Sequence, residues 1–223
     1  MSTSASMSVS SPRPTRRARP LKVAAWTVMG LMTLSVLFLS ELPLLRPGSA
    51  TRAHLLTIRW LLLPHVVCAS VALTTGAVQF SSRIRQWSLP FHRVTGRVYV
   101  AAICIAGPAA IVMSHGTAFF TATLVQAGTW ITTAIAALLT ARNRQIEQHR
   151  QWVVRSYAVT FGFILLHLLN PLPFWSGISD NAYATAIIIA TFLAVLIPDI
   201  VFCWRELTRR RGAGERQAAG RDS

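Results

Sequence analysis

LTIRWLLLPHVVCASVALTTGAVQF, residues 56–80, carries one charged side chain, Arg59, across its whole length. A segment crossing a hydrocarbon core of about 30 Å needs roughly 20 mostly apolar residues, and this stretch has them. Its apolar residues do not alternate with polar ones as a barrel strand's would, so its backbone polar groups must be satisfied within a helix. Five other stretches read the same way: Val23–Leu45, Val98–Met113, Ala118–Leu139, Trp152–Leu169 and Ala182–Trp204. The whole chain agrees. Of its 223 residues 52% are hydrophobic and 13% charged, and mean hydropathy is +0.46, whereas soluble domains carry about 25% charged residues. The sequence predicts an all-α, polytopic membrane bundle of six transmembrane helices.

The net charge of +15 has to be read by position. Five basic residues (Arg13, Arg16, Arg17, Arg19, Lys22) precede the first span and six follow the last. Four (Arg83, Arg85, Arg93, Arg97) lie between spans two and three, and four (Arg142, Arg144, Arg150 and, just inside span five, Arg155) between or at the edge of spans four and five. The alternate loops hold only Arg46, Arg52 and, just inside span two, Arg59. This is the positive-inside pattern, with both termini cytoplasmic. The basic excess points to anionic headgroups on that side of the bilayer and not to nucleic acid. Thr15-Arg16-Arg17 resembles an export signal, but the apolar run behind it exceeds the 7–15 residues of a signal core, so an uncleaved first helix is expected. The domain reading is a basic, disordered cytoplasmic tail over 1–20, the six-helix membrane domain over 21–205, and a disordered tail over 206–223. Cys68, Cys104 and Cys203 have no metal-ligand spacing, and no metal site is expected.

Two phrases repeat. His92-Arg93-Val94-Thr95-Gly96-Arg97-Val98-Tyr99 and His149-Arg150-Gln151-Trp152-Val153-Val154-Arg155-Ser156-Tyr157 each open with His-Arg, then give an arginine and a tyrosine, and differ by one residue in spacing. Both stand at the cytoplasmic entry to a span, so spans two–three and four–five read as two hairpins in the same orientation. One reading makes these side chains ordinary interface anchors. The other gathers His92, Arg93, Arg97, His149, Arg150 and Arg155 into a cationic rim for a phosphate, a carboxylate or a cofactor's propionates.

Helical spacing adds three stripes of small and polar residues. Span two has His65, Ala69, Ala72, Gly76, Gln79 and Arg83; span three has Arg97, Ala101, Cys104, Pro108 and His115; span five has Ser156, Thr160, Phe163, His167 and Asn170. Helix neighbours favour such stripes and lipid does not, so all three are expected to face the interior.

The run from His65 through Gly76-Ala77-Val78-Gln79-Phe80 and Arg83 to His92–Tyr99, with His149–Ala158, resembles the bacterial predicted membrane proteins grouped as domain of unknown function 2306. The resemblance covers about residues 60–205. It implies a multi-pass fold, no established activity, and the inner membrane of a bacterium as the location. Members often carry an arginine near the position of His167 and an acid near the end of the last span, for which Asp199 is the counterpart here.

No nucleophile elbow, zincin helix or phosphate loop is present, and only Glu41, Asp180 and Asp199 lie in or near the membrane region. Nothing points to an enzyme. Haem b between facing helices is one reading, with His65 and His167 as axial ligands and His115 as second choice. A carrier or sensor of small molecules or lipids with an arginine rim is another, and a non-catalytic accessory role a third. Asp199, near the inner end of span six, is expected to pair with Arg97 or Arg155. Oligomeric state stays open.

Overall fold

The computed structural model describes residues 18–36, 38, 59–169, 172–173, 175 and 177–219. Seven helices make up the ordered elements among them: α1 Ala18–Val36, α2 Arg59–Gln79, α3 Ser82–Trp87, α4 Leu89–Ser114, α5 Phe120–Arg142, α6 Ile146–Leu169 and α7 Asp180–Ala219. Five, all but α1 and the short α3, are long and apolar enough to cross a membrane. The expected first span, Val23–Leu45, appears as helix through Val36; its second half lies outside the described residues. Trp60 at one end of the bundle and Trp87 and Trp204 at the other are among the most exposed large side chains, as interfacial tryptophans are.

Serine punctuates the turn between α2 and α4. Ser81 Oγ accepts the Ile84 N–H, starting α3, and Ser88 Oγ accepts the Phe91 N–H, starting α4 with a proline in its first turn. Each satisfies an otherwise orphaned donor. The break has a consequence for the stripe on α2. It is real from His65 to Gln79, with Ala72, Gly76 and Gln79 buried, but Arg83 falls on α3 and is exposed. The cap at Ser81 resets the helical phase.

Packing runs α2 on α4, α4 on α5, α5 on α6, and α6 and α5 on α7, with α1 and α2 also touching α6. Small residues set these approaches, as is usual between membrane helices. A Cβ on Gly107 would stand 2.8 Å from Ile131 Cδ1, and one on Gly76 2.6 Å from the Tyr157 ring. The buried core includes Ala72, Ala102, Ile103, Ala106, Trp130, Ala134 and Val159.

Three expectations change. Beyond Arg97 the span-three stripe faces outward: Ala101, Cys104, Pro108 and His115 are all exposed, and the buried face of α4 is Tyr99, Ala102, Ile103, Ala106, Gly107 and Ala109. Small residues surround α4 on all sides, so spacing alone does not choose between its faces; the bulk of Tyr99 does. Tyr99 and Tyr157 are not interface anchors either, being 3% and 6% exposed. Helix α7 continues to Ala219, through residues read as tail. Good helix formers follow Trp204 there, and Arg210 Nε reaches Glu206 Oε1 one turn back at 3.0 Å.

Candidate functional site

The C-terminal ends of α2 and α5 and the N-terminal ends of α4 and α6 meet at one end of the bundle. They enclose a cavity of about 320 Å³. His92, Arg93 and Arg97 from α4, Arg142 from the last turn of α5, Arg144 from the α5–α6 turn, and His149 from α6 line its wall. Among the described residues no carboxylate does. The floor is apolar: Val100, Ala137, Leu138 and Val153. Gln79 closes one side, its Nε2 donating to Thr95 Oγ1 at 2.9 Å. His149 donates its Nδ1–H to the Ala137 carbonyl at 2.8 Å, which leaves the lone pair on Nε2. His92 Nδ1 is buried with no hydrogen-bond partner among the described residues.

The rim is therefore built, but from a partly different set. Arg150 and Arg155 are not in the cavity wall. Arg150 sits on the surface 3.7 Å from Glu147. Arg155 turns to α7, where its Nη2 and Nε both lie 2.6 Å from Asp199 Oδ1 and its guanidinium rests over Trp152 and Phe202. The one-residue difference between the phrases explains the split. One residue is about 100° of helical rotation, so Arg155, six after His149, points away from the cavity that Arg97, five after His92, lines. Asp199 thus has one of the two partners expected for it.

Arg142 and Arg144 replace the missing pair. Arg144 has φ 61°, the left-handed region that glycine adopts freely and that costs other residues roughly 1–2 kcal/mol. The turn is closed by the Gln145 N–H on the Thr140 carbonyl at 2.9 Å, the 6→1 bond of a helix C-terminus. No glycine marks it in the sequence, so the turn gave no signal there.

Below the cavity floor the two repeated tyrosines meet. Their rings flank Gly76, whose missing Cβ makes room for both. Tyr157 donates to the Leu73 carbonyl at 3.2 Å. Tyr99 Oη lies 2.8 Å from Ser156 Oγ and 3.1 Å from Thr160 Oγ1, and Trp130 Nε1 donates to Thr160 Oγ1 at 2.8 Å. Thr160 gives its own proton to the Ser156 carbonyl. Its oxygen must then accept from Tyr99, and the Ser156 hydroxyl donates to Tyr99. Every hydrogen in this knot is placed.

Beyond the knot, His65 and His167 do come together. Both line a small cavity of about 60 Å³ with Trp130, Thr160 and Phe163, and both line a second of about 270 Å³ toward the far end. Each donates Nδ1–H to a backbone carbonyl at 2.9 Å, His65 to Ala106 and His167 to Phe163. His115 does not join them. It is exposed at the end of α4, its ring edge-on to Phe120. Among the described residues no group of three or more His, Cys, Asp or Glu is placed to hold a metal ion. Asn170 lies outside the described residues.

The family model described as predicted membrane protein, domain of unknown function 2306, matches residues 62–204, well over half the chain. No curated protein and no solved structure matches. The chain belongs to this family of multi-pass membrane proteins.

Proposed function

We propose that the protein binds an anionic amphiphile, the phosphate or carboxylate head of a lipid or lipid-like molecule, at its arginine-lined end, as a sensor or carrier. One observation carries the reading: four guanidiniums and two imidazoles line a 320 Å³ cavity in which no carboxylate stands among the described residues. Arginine's planar fork suits such oxyanions, and an apolar floor below a cationic wall suits a molecule with a tail. Arg144 is held in a conformation that glycine would adopt without strain, so the charge itself has value there. The placement of the basic residues supports a cytoplasmic side for this end and for both termini, and the resemblance to bacterial proteins supports a bacterial inner membrane as the location.

The test is equilibrium binding of a fluorescent short-chain phosphatidic acid to the protein in zwitterionic nanodiscs. Saturable, salt-sensitive binding is expected. It should weaken by about ten- to a hundredfold in Arg97→Gln/Arg144→Gln, since a hydrogen bond to a charged group contributes about 1.5–3 kcal/mol. Arg150→Gln, outside the cavity, should bind as wild type. Equal binding by all three proteins would end the proposal.

Haem b is the second reading, favoured by the tautomer of His65, which leaves the lone pair on Nε2 as an axial ligand needs. The room argues for a smaller guest. The cavities the histidines share measure about 60 and 270 Å³, whereas pockets for drug-sized ligands run about 300–1,000 Å³. A reduced-minus-oxidised spectrum after expression with ample haem decides this. A Soret band lost in His65→Ala would restore the haem reading.

A further inference from the structure

The arginines of the cavity differ from three others near the same end of the bundle. Arg150 has Glu147 at 3.7 Å, Arg155 has Asp199 at 2.6 Å and Arg210 has Glu206 at 3.0 Å. Among the described residues Arg93, Arg97, Arg142 and Arg144 have no such ion pair, and no carboxylate stands in the wall they line. A guanidinium keeps its charge at any physiological pH. The wall therefore carries four positive charges, to which His92 and His149 add only when protonated.

The four charges come from two sides. Arg93 and Arg97 stand four residues apart, one above the other on one face of α4. Arg142 and Arg144 come from the last turn of α5 and the turn after it, and α4 packs on α5. Each guanidinium presents a planar fork of N–H donors. A carboxylate or a phosphodiester has two free oxygens and one negative charge, so it leaves three of the four charges uncompensated. A phosphomonoester has three free oxygens and, above its second pKa of about 6, close to two charges. It has enough acceptors to engage both sides at once.

We infer that the arginine-lined cavity selects a phosphomonoester dianion over monoanionic phosphodiesters and carboxylates, its free oxygens shared between the arginines of α4 and those at the end of α5. The inference rests on the anion-binding reading above and narrows it to one headgroup class. The apolar floor of Val100, Leu138 and Val153 fits the first carbons of a chain attached to that head.

Competition in zwitterionic nanodiscs tests it. Fluorescent short-chain phosphatidic acid is displaced by unlabelled phosphatidic acid, by its methyl diester phosphatidylmethanol, or by a fatty acid, all of matched chain length. At about pH 8 phosphatidic acid should displace the label at a concentration at least about tenfold lower than either monoanion, the gain expected from one more charge-assisted hydrogen bond. At about pH 5 the monoester has lost most of its second charge and the arginines keep theirs. Protonation of His92 and His149 strengthens binding of the diester as well, so the monoester-to-diester preference should shrink severalfold. Arg93→Gln and Arg142→Gln, one from each side, should each reduce the preference at the higher pH. If these variants fail to fold, the wild-type preference at the two pH values decides alone. Glycerol 3-phosphate separates a lipid from a soluble source of the same group. It should displace far more weakly than phosphatidic acid, and equal potency would keep the phosphomonoester but remove the tail. Equal displacement by monoester and diester, or a preference that ignores pH, overturns the inference and leaves the anion-binding reading standing. No saturable binding of the labelled lipid removes both.

Discussion

Replacing Asp199 by asparagine keeps the shape of the side chain and removes its charge. The carboxylate takes two contacts of 2.6 Å from Arg155, and the guanidinium lies 4.8 Å from the Trp152 ring centre and 5.3 Å from that of Phe202. The Arg155 side chain is 15% exposed and that of Asp199 is 41%. Exposed ion pairs contribute about 0–1 kcal/mol, and breaking a fully buried one costs about 3–5 kcal/mol. This pair stands between those limits, nearer the first because the carboxylate meets solvent or headgroups. A loss of about 1.5 kcal/mol is expected. For a chain of this size each kcal/mol shifts Tm by about 2–4 °C, so thermal unfolding in nanodiscs should drop about 3–6 °C. A double-mutant cycle with Arg155→Gln should return most of that loss as coupling. The two rings would still hold the arginine in Asp199→Asn, so the cycle isolates the charge. A Tm within a degree of wild type, or coupling near zero, would show that Arg155 rests on Trp152 and Phe202 and that its contact with Asp199 stabilises nothing.

Gly76→Ala would place a Cβ 2.6–2.7 Å from ring atoms of both Tyr157 and Tyr99; overpacking of this kind costs about 1–3 kcal/mol. Gly128→Ala, with nothing within 4 Å of its added Cβ, is the matched control and should melt at or above the wild-type temperature. Tyr99→Phe removes the group that donates to Thr160 and accepts from Ser156, and should destabilise by about 1–2 kcal/mol in the same unfolding assay. A periplasm-specific reporter should be inactive when fused after Arg144 and active after Ser179, and the reverse pattern would overturn the assigned sidedness.

The bundle was legible because bilayer length and apolar composition leave few alternatives, and the ion pair because a charge near a helix end needs a partner of opposite sign. Faces were harder. On α2 and α6 the polar stripes led correctly to the interior, since Gln79, Ser156 and Thr160 mark one side only. On α4, alanine, glycine, cysteine and proline surround the axis, and the stripe from Ala101 to His115 turned out to be the outer one. The rim was half legible. The residues of its first phrase, His92, Arg93 and Arg97, line one cavity, but in the second the extra residue carried Arg155 about 100° away. Arg142 and Arg144 were missed as wall residues because a left-handed turn occupied by arginine leaves no glycine or asparagine to announce it. The Tyr99 knot was also missed, since a tyrosine two residues after an arginine at a helix entrance has the pattern of an interface anchor.

That knot bears on whether the proposed ligand would be carried or only bound. Tyr99 lines the arginine cavity, while Trp130 and Thr160 line the small cavity beside His65, so the knot is the wall between the two ends. A passage through it must separate Tyr99 from Thr160 and leave polar atoms unpaired in a dry interior, at about 1–3 kcal/mol for each group. The rings must also swing aside, and those of Tyr99 and Tyr157 are packed against Gly76 of α2, with Trp130 against Phe163 at 4.8 Å. Removing the hydroxyl alone would weaken the wall without opening it, because the aromatic ring still fills the space. An anionic head at the arginines therefore meets a closed floor in this conformation. Its route out is back to the membrane face it entered from. This geometry favours sensing over transit.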